Sequence, residues 1–310
     1  MTKVIYFGNE RLVSGLEKTD APVLRGLIEK GYDVVAVVSH HAGSHSRTQR
    51  NLEVADIATS HNIPIFLPNR PLEIIENLRS LHADIAVLAA YGRIISQEVI
   101  DVFPLGIVNI HPSLLPKYRG PTPIESAILH GDTKTGISIM QLTAGMDEGP
   151  VYAQAIVPIN EFEKKFDLYD TLVNVSTDLF FNTFPAIING SLEPKSQSTD
   201  GISYSNLIQK SDSIIDWNKS AVQIEREIRA YEKWPQSRTK LGSAEVIITE
   251  AHTLPATINE LGRIEINDED NSLMIYTKDG ILSIDTVKPL GKKEMPVKAF
   301  LAGYRSQLNI

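Results

Sequence analysis

The chain of 310 residues contains no cysteine, which removes disulfides, thiolate metal sites and a catalytic thiol from consideration. It has no run of about 18 consecutive apolar residues, so no transmembrane helix and no membrane partner are expected. Its start, Met1-Thr2-Lys3-Val4-Ile5-Tyr6, lacks the apolar stretch of a secretion signal, and a soluble, cytoplasmic monomer is the expectation. Positive charge is short as well. Against 38 Asp and Glu stand 30 Lys and Arg, a formal net of −8, which argues against a general binder of nucleic acid. The deficit is uneven: residues 1–206 hold 16 basic and 23 acidic residues, while 207–310 hold 14 and 15. Toward the end, Lys288, Lys292, Lys293, Lys298 and Arg305 meet only Glu294. That stretch reads either as a basic patch or as ordinary solvated lysines.

What is present divides into two patterns. Over the first 160 residues, short apolar runs alternate with helical stretches. Lys3–Phe7, Asp33–Ser39, Ile63–Leu67, Asp84–Ala90, Gly106–His111, Gly136–Thr143 and Val151–Ile159 read as strands. Between and after them, 22–30, 51–60, 72–81, 123–130 and 168–188 read as helices. The run Asp33–Ser39 (DVVAVVS) is apolar on both faces, which suits a buried parallel strand. Repeated strand–helix–strand units predict an α/β fold with a doubly wound, mainly parallel sheet. The polar run 191–200, with Pro194, reads as a linker or loop. A helix over 220–231 and short alternating strands over 244–249, 262–266, 272–277 and 280–287 then predict a small antiparallel barrel or sandwich. The domains expected are 1–190, a linker over 191–206, and 207–310.

In such sheets ligands bind beyond the carboxyl ends of the strands. There the sequence places Asn109 and His111, two residues apart and therefore on one face of a strand that Pro112 must end. Spacing alone leaves two readings open: a reactive amide–imidazole pair, or two residues capping loop backbone. The loop Gly145-Met146-Asp147-Glu148-Gly149 is likewise either an ordinary acidic turn or the source of a carboxylate, Asp147, that orients His111. Other features carry less. The segment after the first strand has one glycine rather than a dinucleotide fingerprint. Ser113 lacks the Gly-x-Ser-x-Gly elbow of a hydrolase. His40, His41 and His45 have no carboxylate or cysteine beside them, so no metal site is expected. Trp217 and Trp234 read as packing residues.

The run Asn109-Ile-His-Pro-Ser-Leu-Leu-Pro-Lys-Tyr-Arg-Gly120, followed by Asp147 in Gly-Met-Asp-Glu-Gly, resembles the formyltetrahydrofolate-dependent formyltransferases. Within that family, Ala89–Gly92, Gly120–Ile124, Gly136–Asp147, Ile215–Trp217 and Ile228–Pro235 are most similar to the branch that formylates methionyl-tRNA. The resemblance implies a Rossmann-like catalytic domain and an OB-like C-terminal barrel. It implies formyl transfer from 10-formyltetrahydrofolate to the α-amino group of methionine on initiator Met-tRNA, without a metal. Asn109 and His111 would stabilise the tetrahedral intermediate, and Asp147 would assist proton transfer. Ser113, Leu114, Leu115, Pro116, Tyr91 and Ile94 would line the folate pocket. Arg47, Arg50, Arg119, Lys292 and Lys293 would contact the tRNA. The loop 39–51 holds only Arg47 and Arg50 as permanent cations, where the branch has a basic, glycine-rich loop. An amino-sugar nucleotide as acceptor is the alternative, and a non-catalytic folate- or nucleotide-binding module is the alternative of another class.

Overall fold

The computed structural model describes residues 1–9, 11–13, 15–16, 20–40, 52–255 and 260–308. The chain packs into two compact units. The first holds Met1–Pro123, Lys134–Pro158 and Tyr169–Asn206, and the second holds Ile124–Thr133, Ile159–Leu168 and Leu207–Ile310.

The first unit is built on β1 (Lys3–Gly8), α1 (Pro22–Glu29), β2 (Asp33–Val38), α2 (Glu53–Ser60), β3 (Ile65–Phe66), α3 (Ile75–Ser80), β4 (Ile85–Ala89), α4 (Gln97–Ile100) and β5 (Ile107–His111). Then follow α5 (Pro123–Leu129), which falls in the second unit from Ile124 on, β6 (Lys134–Gln141), β7 (Val151–Pro158) and the long α6 (Lys165–Ile188). The sheet order is β3-β2-β1-β4-β5-β6-β7. Pairs through β5 are parallel, while β5–β6 and β6–β7 are antiparallel. The local reasons are visible in the residues. All five residues of β4 (IAVLA) are buried, as a parallel strand covered on both faces requires. Pro22 occupies the first turn of α1, where its missing N–H costs nothing, and Gly31 at φ 79° follows its end. The order runs outward from β1 through β2 to β3 and resumes at β4 on the other side of β1. The switch point therefore lies at the carboxyl ends of β1 and β4, with β5 next in line.

The element boundaries differ from expectation in places. The stretch expected as one helix over 72–81 begins as a 3-10 turn, Pro71–Ile74, before α3. The long helix expected over 168–188 starts at Lys165 rather than Leu168.

The second unit contains α7 (Ala221–Ala230), β8 (Ser237–Leu241), β9 (Ala244–Leu254), β10 (Ile264–Asn267), β11 (Ser272–Tyr276), β12 (Ile281–Pro289), β13 (Met295–Pro296) and α8 (Val297–Tyr304). The strands form one antiparallel sheet in the order β10-β11-β12-β9-β8, with β13 on β12, consistent with the small barrel expected. Ser220 caps α7 by accepting from the Gln223 amide, and Ile224 and Ile228 of that helix enter a core with Val246, Ile248, Leu282 and Phe300. This unit also buries an ion pair. Lys165 is fully buried, with Nζ 3.9 Å from Glu125 Oε1 and donating to the Trp234 carbonyl at 3.2 Å. Burial, the larger effect, pushes the Lys165 ammonium below its ordinary value, and the Glu125 charge pulls it back up.

Candidate functional site

Strand β5 ends inside the sheet with Asn109 and His111 on one face, 5% and 4% exposed. Neighbouring strands hold it on both sides: Asn109 is in register with Leu88 on β4 and Met140 on β6. The chain then turns at Pro112 through a tightly bonded segment. Ser113 Oγ donates to the Lys117 carbonyl at 2.6 Å. Ser138 Oγ donates to the Ser113 carbonyl at 2.6 Å and accepts from the Leu115 amide, and Gln154 Nε2 donates to the Leu115 carbonyl at 2.9 Å. This turn returns the Tyr118 carbonyl to His111, whose Nε2 lies 2.9 Å away. A carbonyl only accepts, so the imidazole carries a proton on Nε2, and Nδ1 is the nitrogen that faces Asp147. His111 Nδ1 is 3.7 Å from Asp147 Oδ2, and Asn109 Nδ2 is 3.5 Å from Asp147 Oδ1. The Gly120 amide donates to Asp147 Oδ2 at 2.8 Å. An amide, an imidazole and a carboxylate, 38 residues apart at the extremes, thus converge.

The loop that brings Asp147 is confined at its far end. A Cβ on Gly149 would lie 1.8 Å from the Gln141 carbonyl oxygen, so only glycine fits there. The polar stretch 191–206 runs along this loop. Lys195 pairs with Val151, Tyr204 with Arg119, and Gln197 donates to the carbonyls of Asp147 and Gly149. Nothing in the sequence pattern singles out Gln197, because a glutamine in a polar stretch looks like solvated loop.

The residues expected at the folate pocket separate into two kinds. Ile94 is 87% exposed, an apolar side chain left open in the segment after β4. Ser113, by contrast, is fully buried and spends its hydroxyl on the turn. Leu114 and Pro116 are half-buried and Leu115 is buried in the same turn. The Tyr91 ring is 1% exposed and packs edge-on against Phe7, at 5.5 Å, and His40, at 5.4 Å. It is a core residue, and its backbone carbonyl lies 2.6 Å from His40 Nε2. Its hydroxyl has no hydrogen-bond partner among the described residues, and burial pushes it up to about 12. A phenol raised on folding contributes stability that is complete below its unfolded value of 10.0 and disappears as pH climbs toward 12. Tyr91→Phe should therefore match the wild-type urea midpoint at pH 8 and fall less steeply between pH 9 and 11. Parallel curves would exclude Tyr91 as a source of alkaline sensitivity.

The basic residues also divide. Arg119, expected at tRNA, is 7% exposed and turned inward, where its guanidinium donates to Gln197 Oε1 and the Tyr204 hydroxyl and faces Glu148 at 3.5 Å. Its charge is spent inside the first unit. Arg47 and Arg50 lie outside the described residues. Lys292 and Lys293 are exposed beyond β12. In the second unit, Lys210, Arg238, Lys240 and Lys288 line a cavity of about 660 Å³ with Glu245 as its one acidic side chain. Arg238, Ile247 and Lys288 stand in one row across β8, β9 and β12, so the cations share a face. Nothing in the sequence pattern groups Lys210, Arg238 and Lys240 with Lys288, from which they lie far in the chain.

Among the described residues, no group of three or more His, Cys, Asp or Glu is arranged to hold a metal ion, and no helix is long and apolar enough to cross a membrane.

Comparison with known proteins adds to this geometry. Residues 11–183 match the family model described as "Formyl transferase", and 207–305 match "Formyl transferase, C-terminal domain". Methionyl-tRNA formyltransferase of Roseiflexus sp. (strain RS-1) is 34% identical over 289 residues, covering 92% of this chain and 89% of that protein. Methionyl-tRNA formyltransferase of Chloroflexus aggregans is 36% identical over 291 residues, covering 90% and 92%. Among solved structures, the N-formyltransferase from Helicobacter canadensis, in complex with folinic acid and dTDP-3-aminofucose, superposes with a TM-score of 0.68. It is 22% identical and covers 95% of this chain and 99% of that one, a likeness of fold.

Proposed function

Because the chain belongs to the formyl transferase family and matches both its domains in order, we propose that it moves the formyl group of 10-formyltetrahydrofolate to the α-amino group of methionine on initiator Met-tRNA. The observation that carries this reading is the approach of Asn109, His111 and Asp147 within 3.7 Å at the carboxyl end of β5.

The chemistry follows from these groups. The amine nitrogen bonds to the formyl carbon, the bond from that carbon to folate N10 breaks, the amine loses a proton and N10 gains one. A free α-amine has a pKa of roughly 7.7–8.0, so much of it is already neutral near pH 7. The larger demand is the negative charge that develops on the formyl oxygen, and fixed donors meet it best. Asn109 Nδ2 is such a donor, held by a strand paired on both sides. His111 serves through Nδ1, because Nε2 is committed to the Tyr118 carbonyl. Nδ1 therefore turns its lone pair toward the site, 3.7 Å from Asp147 Oδ2: it can take the proton that the amine loses, and the imidazolium so formed, faced by the Asp147 carboxylate, can hand that proton to the departing N10. Asp147 itself is oriented by the Gly120 amide. Of the residues expected at the folate, Ile94 is the apolar side chain left open to meet it.

For the acceptor, Lys210, Arg238, Lys240 and Lys288 supply a local basic surface on a chain of net charge −8. Lys240 is ion-paired with Glu245 at 3.1 Å, so three phosphate contacts, through Lys210, Arg238 and Lys288, predict that kcat/KM for Met-tRNA falls roughly 20- to 40-fold between 50 and 200 mM salt. A flat salt response speaks against a tRNA acceptor. The deciding assay offers the protein 10-formyltetrahydrofolate with Met-tRNA and, separately, with an amino-sugar nucleotide. Formylation of the tRNA alone is expected, and formylation of the sugar alone would replace this reading.

A further inference from the structure

The Asp147 backbone has φ 49°, in the left-handed region that a residue with a side chain avoids. Such a conformation persists only where surrounding contacts enforce it. The Gln197 carboxamide makes those contacts. Nε2 donates to the Asp147 carbonyl at 2.7 Å and to the Gly149 carbonyl at 2.8 Å. Oε1 accepts from Arg119 Nε at 3.2 Å and Nη2 at 2.9 Å. Two donors and two lone pairs are all an amide has, so Gln197 is saturated.

The two ends of this amide act on one carboxylate. One end grips the Asp147 backbone. The other grips Arg119, the residue before Gly120, whose N–H fixes Asp147 Oδ2. Arg119 is further tied to the segment of Gln197 by its backbone pairing with Tyr204 and by Ser205, whose amide donates to the Arg119 carbonyl at 2.7 Å. Backbone and side chain of Asp147 are therefore located through a single glutamine, 50 residues further along the chain. We propose that Gln197 is the positioning residue of the site: it sets the Asp147 carboxylate against His111 Nδ1 and Asn109 Nδ2. It touches no reacting atom and acts through Asp147. The inference rests on the formyl-transfer reading above.

Gln197→Glu separates this role from plain stability. A glutamate keeps an acceptor pair for Arg119, but it has no N–H for the Asp147 and Gly149 carbonyls. Gln197→Leu removes both halves. With wild-type protein assayed alongside on Met-tRNA, Gln197→Glu is expected to lower kcat by about 10- to 100-fold, as displacing a reacting group by about an ångström does. KM for both substrates should stay within about twofold, because no substrate contact is lost. In an Asp147→Asn background, the same change should cost less than about twofold, since the effect runs through the carboxylate. An equal loss in both backgrounds overturns the proposal, as does an unchanged kcat. Absence of transfer by the wild-type protein instead overturns the functional reading. In that case the His111 ring resonances still decide on positioning. They should move from the wild-type positions toward those of Asp147→Asn in both Gln197 variants, and unmoved resonances refute the role.

Discussion

Asn109→Ala is expected to lower kcat by about 10²- to 10³-fold, equivalent to about 2.7–4 kcal/mol of barrier, with KM for the folate within about twofold of wild type. The size of the effect follows from where the amide is held. It is 5% exposed, between apolar register neighbours Leu88 and Met140. In such a place a donor aimed at developing charge is poorly replaced by water. Its approach to Asp147 Oδ1 is 3.5 Å, long for a hydrogen bond, so the donor keeps capacity for the formyl oxygen. Truncation also removes little packing, so far-UV circular dichroism and the melting temperature should remain close to wild type. Asn109→Asp is the matched control: it preserves shape, puts an acceptor where a donor is needed, and places a second carboxylate beside Asp147. Its loss should be at least as large. Wild-type turnover by either variant would remove Asn109 from the reaction.

Lys165→Met should destabilise the fold by about 3–5 kcal/mol, because it leaves Glu125 buried without the cation opposite it. Urea denaturation at pH 7.5 measures this directly. Desolvation outweighs attraction at Lys165, so the intact pair is not itself a large source of stability. The double variant Glu125→Leu/Lys165→Met should therefore recover most of the loss and come within about 1 kcal/mol of wild type. A pH series gives a second check. The folded protein holds this proton less tightly than the unfolded chain does, so the unfolded chain binds more protons as pH approaches 10.5. Stability attributable to Lys165 rises over that interval, opposite in sign to the contribution of Tyr91. A single variant as stable as wild type would refute Lys165 as the partner that makes burial of Glu125 tolerable.

The parts of the fold legible in the sequence are those where one physical demand dominates. DVVAVVS and DIAVLAA had to be buried strands, since β-branched or small apolar residues fill both faces. Asn109 and His111 stood out because a strand end otherwise devoted to packing carried two polar groups on one face. The sense of β6 and β7 was left open by a reading of the sheet as mainly parallel; the connection between them is too short for a crossover, and they pair antiparallel. Strand β8 was not legible. Its five residues, SRTKL, owe their extended form to pairing with β9 rather than to any alternation of their own. Nor could the sequence yield Gln197 or the inward turn of Arg119. Both depend on contacts across roughly 80 residues, and neither residue type advertises its partner.

The interleaving of the two compact units sets a limit on dissection of the gene. The ten-residue pieces Ile124–Thr133 and Ile159–Leu168 are encoded before the junction at Asn206 yet fold with what is encoded after it. A stop codon placed after Asn206 would leave Lys165 and Phe166 on the truncated product while deleting Trp234 and Glu232, whose carbonyl and carboxylate receive their protons. The first half is thus not an autonomous module as encoded, and exchanging C-terminal segments between relatives requires carrying those two short pieces along.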